Sequence, residues 1–161
     1  MSFRESLKNG QSAEICVGNL YKECGLTIEY NKDARFDIVA YNLEGLCFTT
    51  EVKFDMYEAK SGNVAIEVYT TKTHRLSGLT NTTSTLWAHV LLNKEVHLIS
   101  TNYLRQLVEE IKVEKIVEKG GDNNASLFLF KSSILLPYFS RIDDIGPAKR
   151  LKLIRRLIHA D

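Results

Sequence analysis

The stretch "LCFTTEVKFD" (residues 46–55) reads as an interior β-strand, and within it Glu51 and Lys53 stand two apart. Alternate residues of a strand share a face, so the carboxylate and the ammonium point one way while Val52 and Phe54 point the other. Burying charge is costly unless the charges are paired or bind a metal ion. This strand therefore carries either an ion pair or a site for chemistry.

Immediately upstream lies a second β-rich run, "RFDIVAYN" (35–42), joined to the first through "LEG", with Gly45 suited to a tight hairpin. Before it, "NGQSAEICVGNLYKECG" has its apolar residues at helical spacing, Gly25 stops the helix, and "LTIEY" (26–30) is a short strand. Downstream, "KSGN" (60–63) is a turn and "VAIEVYTT" (64–71) a third long strand. "THRLSGLTNTTS" is loop-like, "TLWAHVLLN" fits a short helix or a buried strand, and "EVHLIST" (95–101) is a strand. "NYLRQLVEEIKVEKIVEKG" begins as an amphipathic helix capped by Thr101 or Asn102, with Leu104, Leu107, Val108 and Ile111 on one stripe. Its charge-rich end and "GGDNNAS" read as a solvated helix end and a loop. "LFLFKSSILLP" supplies a last apolar strand or two, and "DDIGPAKRLKLIRRLIH" a closing helix with Pro147 in its first turn. The order predicts an α/β or α+β fold: one domain over residues 1–161, a central mixed sheet flanked by helices, and the first helix packed on one sheet face.

A chain of 161 residues can bury a core of its own but has little room for two domains. With 21 basic against 20 acidic side chains, any attraction to a polyanion must come from local clusters rather than net charge. The three cysteines, Cys16, Cys24 and Cys47, lack the paired spacing of zinc sites and read as buried thiols of a reducing compartment. The polar start "MSFRESLKNG" carries no secretory signal, and no apolar run reaches the length of a membrane span, so the expectation is a soluble cytoplasmic protein with no membrane partner.

Asp37 lies early in the strand that precedes Glu51 and Lys53, and the short connection makes the two strands neighbours. Two carboxylates and an amine then meet at one end of the sheet. Crowded carboxylates repel unless protonated or bridged by a cation. Magnesium takes oxygen ligands, commonly one or two protein carboxylates with water and substrate phosphate. Such an ion activates water and offsets charge on a scissile phosphate, while Lys53 orients the nucleophile or holds the phosphate. The set is what metal-assisted phosphodiester hydrolysis requires. The same spacing also suits a plain ion pair on an exposed strand.

"FDIVAYN…FTTEVK" resembles the D-Xn-E-x-K core of the PD-(D/E)XK nuclease superfamily, with Asp37 fourteen residues before Glu51 and Phe36 where the family name has proline. Within it the chain is most similar to archaeal-type Holliday-junction resolvases, which carry a glutamate on the first helix, then the aspartate, then E-V-K. Glu14 in "SAEICVGNLYKECG" matches the helix glutamate. A second similarity, over "GNVAIEVYTTKTHRLSGLTNTTSTLWAHVL" (62–91), is to small phage-encoded proteins of the superfamily, whose acid before the aromatic is absent here. The resemblance implies a restriction-endonuclease-like fold and a DNA endonuclease using Mg²⁺, and leaves open whether Mn²⁺ substitutes. It implies metal ligation by Asp37, Glu51, the Val52 carbonyl and Glu14, and positioning of the attacking water by Lys53. It also favours a site role for Glu67 on the following strand. Branched DNA is the expected partner, and a symmetric dimer suits the two equivalent strands of a four-way junction.

Lys72, His74 and Arg75, beside Ser77 and Gly78, form either a phosphate-binding loop or a solvated one. His89, His97 and His159 share no metal-ligand spacing and read as core or surface residues. Trp87 reads as core packing. The tail places Leu151, Ile154, Leu157 and Ile158 on one stripe and Lys149, Lys152, Arg155 and Arg156 on the rest, a basic face open to solvent or to DNA backbone. Two alternatives stay open: a sequence-specific restriction or homing endonuclease or an exonuclease of the same fold, and a non-catalytic nucleic-acid-binding or assembly protein in which Glu51 and Lys53 are only an ion pair.

Overall fold

Helix α1 (Phe3–Glu23) leads into three strands, β1 (Thr27–Tyr30), β2 (Ile38–Tyr41) and β3 (Cys47–Asp55). A short helix α2 (Glu58–Ser61) and strand β4 (Asn63–Thr70) follow, then a 3-10 turn at Gly78–Thr80. Next come β5 (Leu86–Leu91), β6 (Val96–Ser100), α3 (Thr101–Glu110), β7 (Lys115–Glu118) and β8 (Ala125–Lys131). The chain closes with α4 (Ser132–Leu135), a second 3-10 turn (Leu136–Tyr138), β9 (Ser140–Arg141) and α5 (Pro147–Ile158). This computed structural model describes residues 3–31, 35–70, 77–118 and 125–160.

The central sheet has six strands in the order β1-β2-β3-β5-β6-β9. Only β3 and β5 run parallel among these ladders; the rest are antiparallel, so the sheet is mixed, as expected. Its two faces bury different sets of side chains. Val17 and Tyr21 of α1 and Ile154 of α5 pack on Phe48, Val52, Ala88 and Leu98. The opposite face carries Trp87 and Ile99, covered by Leu104 and Leu107 of α3 and by Val64, Ile66 and Phe130 of the second sheet. Strand β5 is buried at all six positions because both faces are covered, which removes the alternation that marks a half-exposed strand.

Several expectations are corrected. β4 does not join the central sheet: it pairs with β8, which pairs with β7, as a separate three-stranded sheet. The chain is re-aimed between β3 and β4 by α2, which Gly62 ends in the left-handed region (φ +66°), so the expected turn at 60–63 is a helix end. The side chain of Asp55 fixes this corner by accepting N–H bonds from Tyr57, Glu58 and Ala65, at 3.0 Å each. The long helix expected after residue 102 stops at Glu110, and Lys115–Glu118 extends along β8 instead. There the β-branched Ile116 and Val117 gain ladder partners that a solvated helix end would not supply. Ser100, rather than Thr101 or Asn102, caps α3 by accepting from the Tyr103 N–H. "LFLFKSSILLP" turns from strand into α4 and a 3-10 turn, and α1 starts earlier than its apolar spacing suggested. The cysteines are not buried: Cys16 and Cys24 are half-buried and Cys47 is exposed.

Candidate functional site

Asp37, one residue before β2, is brought opposite Glu51 by the β2–β3 register, in which Ile38 faces Thr50. Its own N–H donates to the Thr50 carbonyl (3.0 Å), and its Oδ2 accepts the Val52 N–H at 2.7 Å. Because β3 lies inside the sheet, Glu51 is only 5% exposed. Lys53, on the same face, extends its ammonium to 2.6 Å from Glu51 Oε1 with 31% of its side chain exposed, and lies 5.9 Å from the centre of the buried Trp87 ring. The Glu51–Lys53 ion pair thus lies on one face of β3, with Asp37 opposite it at the start of the neighbouring strand.

A cleft of about 580 Å³ opens beside this face, lined by Glu14 of α1, by Asp37, Val52 and Lys53, and by Glu67 across from them on the second sheet. Glu51 lies behind Lys53 rather than in the wall. The electrostatics record the crowding. Burial first, then the charges of Asp37 and Glu51, push the Glu14 carboxyl above its ordinary range. Burial raises Asp37 despite the Val52 N–H and Lys53. Glu51 is raised too, by burial above all and by Asp37, against the pull of Lys53 and Thr82. Burial works to lower the Lys53 ammonium, but Glu51, Glu67 and Asp37 together hold it above its usual value. Glu67 therefore belongs electrostatically to the group although it comes from the other sheet.

Among the described residues no three His, Cys, Asp or Glu side chains form a ready-made metal cluster. This is compatible with magnesium, which takes one or two carboxylates and fills its remaining positions with water and phosphate oxygens. Asp37 and Glu51, with the Val52 carbonyl on the strand between Glu51 and Lys53, are the oxygen groups such an ion could use, and both carboxyls are raised, chiefly by burial.

Other candidates lie elsewhere. Lys149, Lys152, Arg155 and Arg156 are exposed on α5, which docks at the far end of α1 from Glu14 through Arg150–Glu23 (2.7 Å), and Arg155 already pairs with Glu44 at 2.7 Å. Ser77 precedes the first 3-10 turn, while Lys72, His74 and Arg75 lie outside the described residues. His159 is exposed, and His97 on β6 bonds Glu95.

His89 is fully buried beside Lys53 in the parallel ladder, its Nε2 3.1 Å from Asp55 Oδ2. Sequence reasoning passed over Asp55, although the alternation that singles out 51 and 53 reaches 55 as well. It also missed Thr82, whose Oγ1 lies 3.3 Å from Glu51 Oε2. A threonine in a polar loop carries no signal of that kind.

The fold is an α+β architecture built on a six-stranded mixed sheet and a smaller three-stranded one. A bacterial homing endonuclease, I-Ssp6803I, superposes with a TM-score of 0.55 over 97% of this chain and 98% of its own, at 13% identity, a likeness of fold. No protein-family model matches the sequence, and no curated protein matches it.

Proposed function

We propose that this chain is a metal-dependent DNA endonuclease that hydrolyses phosphodiester bonds at the cleft between its two sheets. The observation that carries the reading is the placement of Asp37 against the Val52 N–H, opposite a Glu51–Lys53 pair, at the wall of an open cleft. Asp37, Glu51 and the Val52 carbonyl would hold Mg²⁺, or Mn²⁺ in its place, with Glu14 in support. A bound divalent ion would lower the pKa of its water and offset charge on the phosphate. Lys53, fixed by Glu51 and the Trp87 ring, orients the attacking water, and its strongly held proton makes it a donor rather than a base. Glu67 adds negative charge that keeps Lys53 protonated. The exposed basic residues of α5 are assigned to DNA backbone contacts.

Two substrates follow from two observations. The full-length likeness to a homing endonuclease favours cutting of duplex DNA at a specific sequence. The E-V-K strand and the helix glutamate favour a four-way junction cut by a symmetric dimer. Incubation with Mg²⁺ of a four-way junction, a linear duplex and a closed circle separates them: paired nicks confined to the junction support the resolvase, and one fixed site supports the sequence-specific enzyme. Asp37→Ala and Lys53→Ala should each abolish cutting while leaving DNA binding largely intact, with a thermal melt confirming that each variant is folded. Unchanged cleavage in both variants refutes the reading.

A further inference from the structure

We infer that Thr82 is a positioning residue that holds Glu51 ready for a divalent cation. This inference rests on the function proposed above. Thr82 is 3% exposed, and its Oγ1 is the meeting point of both limbs of the acidic group. It lies 2.6 Å from the carbonyl of Arg35, two residues before Asp37, and 3.3 Å from Glu51 Oε2. Lys53 holds the other oxygen of the same carboxylate. The Glu51 side chain is thus held at Oε1 by an ammonium, while its Oε2 faces a hydroxyl whose single proton is shared between that carboxylate and the nearer Arg35 carbonyl.

The grip is itself supported. The Ser84 N–H donates to Thr82 Oγ1 (3.1 Å), and Ser84 Oγ lies 3.0 Å from Thr82 Oγ1 and 3.1 Å from Thr101 Oγ1 at the start of α3. Thr82, Ser84 and Thr101 are all buried, so each hydroxyl must find its partners within this chain of contacts. The Thr83 N–H donates to the same Arg35 carbonyl at 3.0 Å, and Arg105 of α3 donates to the carbonyls of Leu79 and Thr82. A polar loop is therefore nailed down on three sides, and the atom it presents at its centre is the hydroxyl facing Glu51. A scaffold serving only to fill space would use an apolar side chain here, because a buried hydroxyl costs free energy unless every bond is made.

The test compares Thr82→Val, nearly the same shape without the hydroxyl, with Thr82→Ser, which keeps it. Binding of Mn²⁺ alone is measured by calorimetry, and cleavage of plasmid DNA by steady-state kinetics. Thr82→Val should weaken Mn²⁺ by about tenfold or more, the usual size of such an outer interaction, and lower kcat with KM for DNA unchanged. Thr82→Ser should restore both, and Thr83→Val, on the exposed neighbour, should change neither. A folded Thr82→Val protein with wild-type Mn²⁺ affinity overturns the inference, as does a serine variant as weak as the valine one. Should the valine variant fail to fold, Thr82→Ala and Ser84→Ala are read against the same serine control, with the same outcomes deciding. A wild-type chain that binds no Mn²⁺ sinks the nuclease reading itself, a result distinct from unchanged affinity in the variant.

Discussion

Asp37 shows how a single residue can be costly to the fold and central to the chemistry. Its carboxyl is raised because burial outweighs the Val52 N–H and the pull of Lys53. A raised carboxyl holds its proton better in the folded chain than in the unfolded one. Its favourable contribution is therefore complete below the ordinary carboxylate pKa and is lost as pH rises through the folded value. Glu14 and Glu51 shift the same way, so the three acids strain the metal-free fold most at neutral and alkaline pH. Asp37→Asn, which keeps an oxygen for the Val52 N–H, should accordingly melt above wild type at pH 8. That gain should shrink toward pH 4, as followed by thermal melts in buffer containing a chelator. An Asp37→Asn variant less stable at pH 8 than at pH 4, relative to wild type, would contradict the electrostatics. At this scale the sequence was readable where a periodicity exposed it: Glu51 and Lys53 by alternation along β3, Asp37 by the short connection. Thr82 was not readable, because its partners stand 31 and 47 residues away.

Among the elements, β3 announced itself, whereas β5 and β7 did not. β5 is covered on both faces and so lost its alternation; β7 is drawn from a charged run by ladder bonds to β8, a tertiary gain that local propensity cannot foresee. The helix α5 was legible from its apolar stripe and Pro147, but its anchor was hidden among the basic residues. Arg150 is 3% exposed and donates to the carbonyls of Leu20, Ile142 and Ile145 and to Glu23, tying α5 to α1 and to the strand ends. Its neighbours Lys149 and Lys152 face solvent. Arg150→Met should cost on the order of 3 kcal/mol, because buried acceptors lose their donor, and lower the melting temperature by roughly 6–12 °C. Cleavage well below that temperature should stay near wild type, since Arg150 touches nothing in the cleft.

Across the whole molecule, charge is nearly balanced at +1, so its distribution matters more than its sum. The acidic group sits by the middle of α1, at Glu14, whereas α5 docks at the C-terminal end of α1 and keeps its basic side chains exposed. From Glu14 to Glu23, which Arg150 of α5 bonds, the helix rises about 14 Å. Removing Lys149, Lys152 and Arg156 together should leave the cleavage rate at saturating DNA unchanged. For every phosphate that is no longer neutralised, the dependence of log affinity on log salt should flatten by about 0.9. A fall in the saturating rate would place α5 at the chemistry and contradict its position in the fold. The division into two sheets was the least readable feature at this scale, since β4 and β8 are both apolar runs and nothing local says which sheet each joins.

The pairing of β4 with β8 also orders events during synthesis. The wall that carries Glu67 is completed by a strand that begins at residue 125, after the strands bearing Asp37, Glu51 and Lys53 have already left the ribosome. A chain arrested before that point has the acids and the lysine but only half of the groove, with Glu67 on a strand that lacks its ladder partner. Under the function proposed here, truncated products of translation should thus be harmless to the cell's chromosome, and the capacity to cut arrives only when the closing partner of β4 has been made.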